Sequence, residues 1–142
     1  MTQEEVLSSY EGAEKLTGRA GSLLYMAPEV IMHLKYDEKV DIFSFGIMMY
    51  ELLQKNVLMV FVSASGCLEE LERYAQSVAE GYRPYIPDFW PPGAKALIAD
   101  CWSQDPRKRP SSVDVLARLE DILDEGAHLH EGSSVWRCCK IH

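Results

Sequence analysis

The run of apolar residues from Asp41 to Gln54 limits the possible folds of this chain more than any other feature. It reads Asp-Ile-Phe-Ser-Phe-Gly-Ile-Met-Met-Tyr-Glu-Leu-Leu-Gln, which places apolar side chains on nearly every face of a helix. A helix without a polar face has to be surrounded by protein. The sequence therefore predicts a central helix at the core, and the carboxylate of Asp37 can cap its first turn.

Three further helices are predicted after the central one. An amphipathic helix that Gly81 can end is indicated by apolar residues three or four apart, namely Leu68, Leu71, Ala75 and Val78. Pro91 and Pro92 suit the opening turn of the next helix, whose buried stripe is Ala94, Leu97, Ile98 and Cys101. Ser111 and Asp114 have the spacing of a capping box before a last helix, with a core face of Val115, Leu116, Leu119, Ile122 and Leu123.

The predicted helices show no alternating βα pattern and no internal repeat, so we expect a mainly α fold. A chain of 142 residues, 47% of them hydrophobic, suffices for one domain with its own core. We expect a polar loop at residues 1–20, a helical domain at 21–125 and a flexible tail at 126–142.

The acidic composition narrows the classes of partner. A formal net charge of −8 leaves no basic surface for a nucleic acid, and the longest apolar run is far shorter than a membrane span, so we expect protein partners. The acidic start lacks the apolar run of a signal peptide, which favours a cytoplasmic location. The spacing of the four cysteines favours reduced thiols, and a metal site among the histidines and cysteines of the tail is the less favoured alternative to a solvated tail.

A series of short motifs follows in a set order along the chain. Residues 16–30 contain Ala27-Pro28-Glu29, and the later motifs are Asp41-Ile42-Phe43-Ser44-Phe45-Gly46, Gly81-Tyr82-Arg83-Pro84, Asp100-Cys101-Trp102, and Asp105-Pro106 with Arg109-Pro110. This series resembles the second half of a protein kinase domain, from the end of the activation segment to the last helix of the large lobe. The resemblance covers about residues 10–124 and is strongest to the tyrosine-kinase-like group of serine/threonine kinases. It implies a C-terminal lobe without the N-lobe sheet.

The resemblance also implies roles for individual residues. Gly21, Ser22 and Tyr25 would lie in the loop that contacts the protein substrate, and Thr17 is a candidate phosphosite, with an ordinary loop threonine as the alternative. Glu29 resembles the acid that pairs with Arg109, although two surface charges are the simpler interpretation. Asp41 resembles the aspartate that anchors the catalytic loop to the central helix.

The groups with which the family binds ATP and magnesium are not in this sequence. It contains no glycine-rich Gly-x-Gly-x-x-Gly loop before a strand lysine and no His-Arg-Asp triplet, and Asp88-Phe89-Trp90 differs from Asp-Phe-Gly in residue and position. We therefore expect no catalytic, cofactor-binding or metal-binding residue in this chain, and no phosphoryl transfer by the chain alone.

Two interpretations of function remain open. The chain is either a piece of an active serine/threonine kinase or a non-catalytic protein-interaction module of truncated or pseudokinase type. Candidate partners include the missing N-lobe and another kinase domain. Where the rest of a kinase domain would pack, we expect an exposed apolar face, with Leu23, Leu24, Phe43 and Met48 as its candidate residues.

Overall fold

The fold is described by a computed structural model over residues 22–56, 58 and 67–130, with side chains as far as residue 126. The prediction of a mainly α fold is confirmed, since the regular structure of these residues is helical and includes no strand. The helices are α1 (Pro28–Ile31), α2 (Lys39–Gln54), α3 (Leu68–Ala79), α4 (Pro92–Cys101), a 3-10 helix (Pro106–Lys108) and α5 (Ser112–His130). Within the described part of the chain, none of the helices is long and apolar enough to cross a membrane.

Helix α2 forms the centre of the core, as the sequence predicts. It begins at Lys39, two residues before the predicted start, and Asp37 Oδ1 accepts a hydrogen bond from the Lys39 N–H at 2.9 Å. It ends where Lys55 adopts a left-handed conformation with φ of 55°. Tyr50, near its C-terminal end, is buried between two tryptophan rings at centroid distances of 5.4 and 5.5 Å, those of Trp90 and Trp102.

One stripe of α2 remains uncovered by the described residues. It consists of Asp41, the half-buried Phe45, Met48 and Leu52, and the Leu52 side chain is 78% exposed. We call these four residues the exposed stripe of α2. The helix is therefore surrounded by protein on most of its circumference but not on all of it.

Helices α2 and α4 pack closely at Gly46. A Cβ atom placed on Gly46 would lie 2.8 Å from the Cβ of Cys101, which is nearer than packed carbon atoms allow. Cys101 is itself buried, and burial raises the pKa of its thiol to about 11. The cysteine thus contributes packing rather than a reactive thiolate.

Replacing Gly46 with alanine is expected to lower the free energy of unfolding by about 1–3 kcal/mol, because overpacking outweighs the gain in helix propensity. Gly126→Ala is the matched control, since Gly126 also lies in a helix and its added Cβ would meet nothing within 4 Å. That control should leave stability unchanged or raise it by up to about 1 kcal/mol. Urea unfolding of the two variants measures the difference, and equal effects would contradict the close packing.

The other helix ends follow local sequence signals. Gly81 follows α3 with φ of 109°, and Pro92 is the first residue of α4. The capping box before α5 is present, with Ser111 Oγ accepting from the Asp114 N–H at 3.1 Å and Asp114 Oδ2 accepting from the Ser111 N–H at 3.1 Å. Helix α5 continues to His130, past the position where the tail was expected to begin.

Two predictions about the core are wrong in part. Leu116 and Leu123 were assigned to the core face of α5, yet they are 58% and 72% exposed, because only one narrow side of α5 contacts α4. Leu23, Leu24 and Phe43 were expected on an exposed face, but all three are buried in the main cluster and only Met48 is exposed. Phe43 and Met48 lie five residues apart, about 140° around the helix, so they face different sides.

Candidate functional site

The predicted partners Glu29 and Arg109 form an ion pair in the core. Arg109 Nη1 lies 2.6 Å from Glu29 Oε1, and Arg109 Nη2 lies 2.9 Å from Glu29 Oε2, so both carboxylate oxygens are bound. Both residues are buried, at 5% and 2% exposure, although they are 80 residues apart in the chain. The simpler interpretation, two surface charges, does not fit this geometry.

Two further hydrogen bonds from the Arg109 guanidinium go to backbone carbonyls. Nε donates to the carbonyl oxygen of Ser103 at 2.9 Å, and Nη1 also donates to that of Lys39 at 3.0 Å. The Lys39 ammonium in turn donates to the Arg109 carbonyl at 2.8 Å. One side chain thus joins α1, the start of α2 and the loop before α5.

Local sequence explains why Arg109 points inward. Asp105 caps the 3-10 helix by accepting from the Arg107 N–H, and the chain leaves that helix at Arg109 with an extended backbone. Pro110 follows, and the residue before a proline is held in extended conformations. The Arg109 side chain therefore enters the core while Arg107 stays at the surface.

The guanidinium keeps Glu29 ionised. Burial, the largest single influence, raises the pKa of the Glu29 carboxyl. The side-chain hydrogen bonds from Arg109, a backbone hydrogen bond and the charge of Arg109 together lower it by more, so the pKa lies below its ordinary value of 4.5. Glu29 is therefore a carboxylate at neutral pH, and the pair is held by charge-assisted, bidentate hydrogen bonds.

A second arginine in this region was not singled out by the sequence analysis. Arg83 lies with its guanidinium carbon 4.9 Å from the centroid of the Phe43 ring, and that of Arg109 lies 5.1 Å from the same centroid. Arg83 donates to the carbonyls of Val78, Tyr82 and Trp102. Burial, reinforced by the charge of Arg109, lowers the pKa of Arg83 to about 10. The sequence signal that could have identified Arg83 is its position in the Gly81-Tyr82-Arg83-Pro84 motif.

The loop before α1 is attached to the central helix through Tyr25. The Tyr25 hydroxyl donates to Glu51 Oε2 at 2.8 Å, and the Tyr25 carbonyl accepts from Ser44 Oγ at 2.8 Å. Glu51 Oε1 also accepts from the Leu58 N–H at 2.7 Å. Burial, followed by the bond to Glu51, raises the pKa of Tyr25 to about 12. Glu51 is a second residue that the sequence analysis missed.

The other predicted site residues lie apart from the ion pair. Ser22 is exposed, and its carbonyl accepts from the Tyr25 N–H at 3.0 Å. Asp41 is exposed in the first turn of α2, where an acidic side chain favours the helix dipole. Gly21 and Thr17 lie outside the described residues, so their predicted roles stay predictions.

Comparison with known proteins identifies the family. The protein kinase domain family matches residues 6–119. This chain belongs to the protein kinase family. The match covers α1 to α4 and reaches into α5, and it includes both members of the buried ion pair.

Several relatives of this kinase chain are themselves named as protein kinases. This chain is 40% identical over 127 residues to the dual specificity protein kinase shkB of Dictyostelium discoideum, and the match covers 84% of this chain and 18% of shkB. It is 41% identical over 111 residues to the serine/threonine-protein kinase VIK of Arabidopsis thaliana, covering 78% of this chain and 24% of VIK. A second Dictyostelium discoideum kinase, the dual specificity kinase shkE, is 38% identical over 111 residues, covering 78% of this chain and 15% of shkE. The chain therefore spans less than a quarter of each of these relatives.

Proposed function

We propose that this chain is the large-lobe portion of a serine/threonine kinase of the tyrosine-kinase-like group. The complete domain would transfer the γ-phosphate of ATP to serine or threonine hydroxyls of proteins, with magnesium. The exposed stripe of α2 carries this proposal, because it places Asp41 and three apolar residues on one side of an otherwise buried helix. An apolar stripe of this kind is suited to packing against another part of the domain.

The buried ion pair supports the same proposal. It joins α1, directly after the segment that contains Ser22 and Tyr25, to the segment before α5. A loop that positions a protein substrate has to be held rigidly, since misplacement of about 1 Å can cost a hundredfold in rate. Tyr25 and Glu51 hold the same loop from the other side.

We propose further that the 142-residue chain alone does not transfer phosphate. Its sequence lacks the glycine-rich loop, the His-Arg-Asp triplet and the Asp-Phe-Gly triplet with which kinases hold nucleotide and metal. A ligand that does not bind the folded chain cannot stabilise it. ATP with magnesium should therefore leave its melting temperature unchanged.

The test compares the chain alone with a chimera. Incubated with Mg²⁺ and radiolabelled ATP, the chain alone should label no generic protein substrate, and it should show no thermal shift. Joined in frame to the upstream half of the VIK kinase domain, it should yield labelled phosphoserine and phosphothreonine. Replacing the donor half's catalytic-loop aspartate by asparagine is the control that should abolish labelling.

Two outcomes would count against the proposal. Labelling or a thermal shift with the chain alone would contradict its inactivity. A folded chimera that remains inactive, or that labels only tyrosine, would contradict the assignment to a serine/threonine kinase.

A non-catalytic protein-interaction module is the second candidate function. The acidic, exposed start of α3 favours it, with Glu69, Glu70 and Glu72 within its first two turns. The gene sequence before the Met1 codon distinguishes the two candidates. A continuous open frame encoding His-Arg-Asp and Asp-Phe-Gly supports the kinase, whereas an in-frame stop codon supports the interaction module.

A further inference from the structure

A groove lined by tyrosine rings lies between the end of α2, helix α3 and the segment after Gly81. Its volume is about 620 Å³, and its apolar lining is formed by Tyr50, Tyr74, Tyr82, Tyr85, Leu58 and Pro84. We call it the tyrosine groove. Tyr82 and Tyr85 lie on the segment after Gly81 and are 51% and 70% exposed, so both rings are accessible to a ligand.

The rings of the groove are held in place by contacts within the protein. The Tyr50 hydroxyl donates to the Tyr85 carbonyl at 3.1 Å, and the Tyr85 hydroxyl donates to Asp88 Oδ2 at 2.9 Å. Tyr74 packs edge-on against Tyr82 with centroids 6.0 Å apart. Pro84 limits the backbone freedom of this wall. A ligand would therefore meet a surface that needs little ordering on binding.

Two polar side chains at the groove have donors available to a ligand. The Tyr82 hydroxyl and the Gln54 side-chain amide line the groove and make no hydrogen bond to the described residues. Both can donate to carbonyl groups of a ligand. Backbone segments rich in proline suit such a surface, because proline supplies a carbonyl acceptor and has no N–H of its own.

The charge at the rim favours a basic group on the ligand. Glu70 and Arg73 both line the groove, but the Arg73 guanidinium is paired with Glu69 at 3.1 Å. Glu70 is exposed and has no ion-pair partner in the described part of the chain. A lysine or arginine next to the bound segment would find its counter-charge there.

We propose that the tyrosine groove binds a proline-rich protein segment in the polyproline II conformation, with a basic residue beside it. Proline rings pack between the exposed tyrosine rings, as in other aromatic-lined grooves that recognise this conformation. The Tyr82 hydroxyl and the Gln54 amide donate to carbonyls of the segment, and Glu70 pairs with the basic residue. The site is independent of phosphoryl transfer, so it can recruit a protein whether or not the complete domain is active.

Fluorescence polarisation of a labelled peptide tests this site on the 142-residue chain. The probe is fluorescein-Arg-Ala-Leu-Pro-Pro-Leu-Pro, and its control has alanine in place of each proline. We expect saturable binding of the proline peptide and at least about tenfold weaker binding of the control. Tyr82→Ala should weaken binding by about tenfold or more, whereas Tyr36→Ala should not, although Tyr36 is 67% exposed elsewhere on the surface.

Two milder variants keep the test valid if Tyr82→Ala unfolds the chain. Tyr82→Phe removes only the hydroxyl, and Glu70→Gln removes only the charge; each should weaken binding severalfold at an unchanged melting temperature. The Glu70→Gln effect should vanish with a peptide whose arginine is replaced by alanine.

Three results would overturn the proposal. The first is equal affinity for the proline and alanine peptides. The second is an affinity for the proline peptide that Tyr82→Ala, Tyr82→Phe and Glu70→Gln all leave unchanged. The third is the absence of saturable binding. Failure of the kinase chimera leaves these binding results unaffected, so the two proposals can fail separately.

Discussion

Replacing Arg109 with methionine is expected to lower the free energy of unfolding by about 3–5 kcal/mol. The substitution keeps much of the volume but leaves the Glu29 carboxylate buried without its partner. It also removes the donors that bind the carbonyls of Ser103 and Lys39. Domains of this size are stable by only about 5–15 kcal/mol, so the loss would be a large share of the total.

Arg118→Met is the matched control for this prediction. Arg118 pairs with Asp100 at 2.7 Å, but the two side chains are 32% and 52% exposed, and surface pairs contribute at most about 1 kcal/mol. Urea unfolding of both variants gives the comparison. If Arg109→Met were no more destabilising than Arg118→Met, the buried pair would not be a structural anchor.

A double-mutant cycle separates the contribution of the Glu29–Arg109 interaction to stability from that of the other contacts of the two residues. Glu29→Gln combined with Arg109→Met should cost less than the sum of the two single changes, because the double variant leaves no unpaired charge in the core. Additive losses would indicate that the two residues stabilise the fold independently. The bonds of Arg109 to the backbone would then account for most of its effect.

Replacing Phe43 with alanine is expected to cost about 3–5 kcal/mol. The ring is fully buried, and the guanidinium carbons of Arg83 and Arg109 lie 4.9 and 5.1 Å from its centroid. Its removal therefore opens a cavity and takes away the aromatic surface next to both cations. The cavity would border two positive charges. Denaturant unfolding monitored by tryptophan fluorescence measures the loss.

Two further variants distinguish the loss of buried volume from the loss of the aromatic ring face. Phe89→Ala is the control, since the Phe89 side chain is 87% exposed and its loss should change stability by less than about 0.5 kcal/mol. Phe43→Leu fills most of the cavity but has no ring face, and it should cost about 1–2 kcal/mol. A leucine variant as unstable as the alanine variant would show that the ring face, rather than volume, dominates.

Much of the fold could be predicted because its signals are local. Gly81 ends α3 and Ser111 with Asp114 starts α5, and each of these acts on backbone groups within about four residues. The order of the motifs from Ala27-Pro28-Glu29 to Arg109-Pro110 indicated the kinase family without any structure. It also named Glu29 and Arg109 as candidate partners.

Other features depended on contacts between distant segments. The periodicity of α5 marks Val115, Leu116 and Leu123 alike as apolar, and only the narrow contact with α4 decides that Val115 is buried while the other two are exposed. In the same way, Phe43 and Met48 are both apolar residues of one helix. Which of them faces the two arginines depends on the packing of that helix in three dimensions.

The sequence by itself determined the family, the helices and the two residues of the ion pair, because these follow from local backbone preferences and from the order of motifs. Only the tertiary structure decided that Arg83 shares the Phe43 ring with Arg109, that the exposed stripe of α2 stays uncovered, and that four tyrosines line one groove. The physical reason is that burial and charge pairing depend on distances between residues far apart in the chain, and Glu29 meets Arg109 across 80 residues.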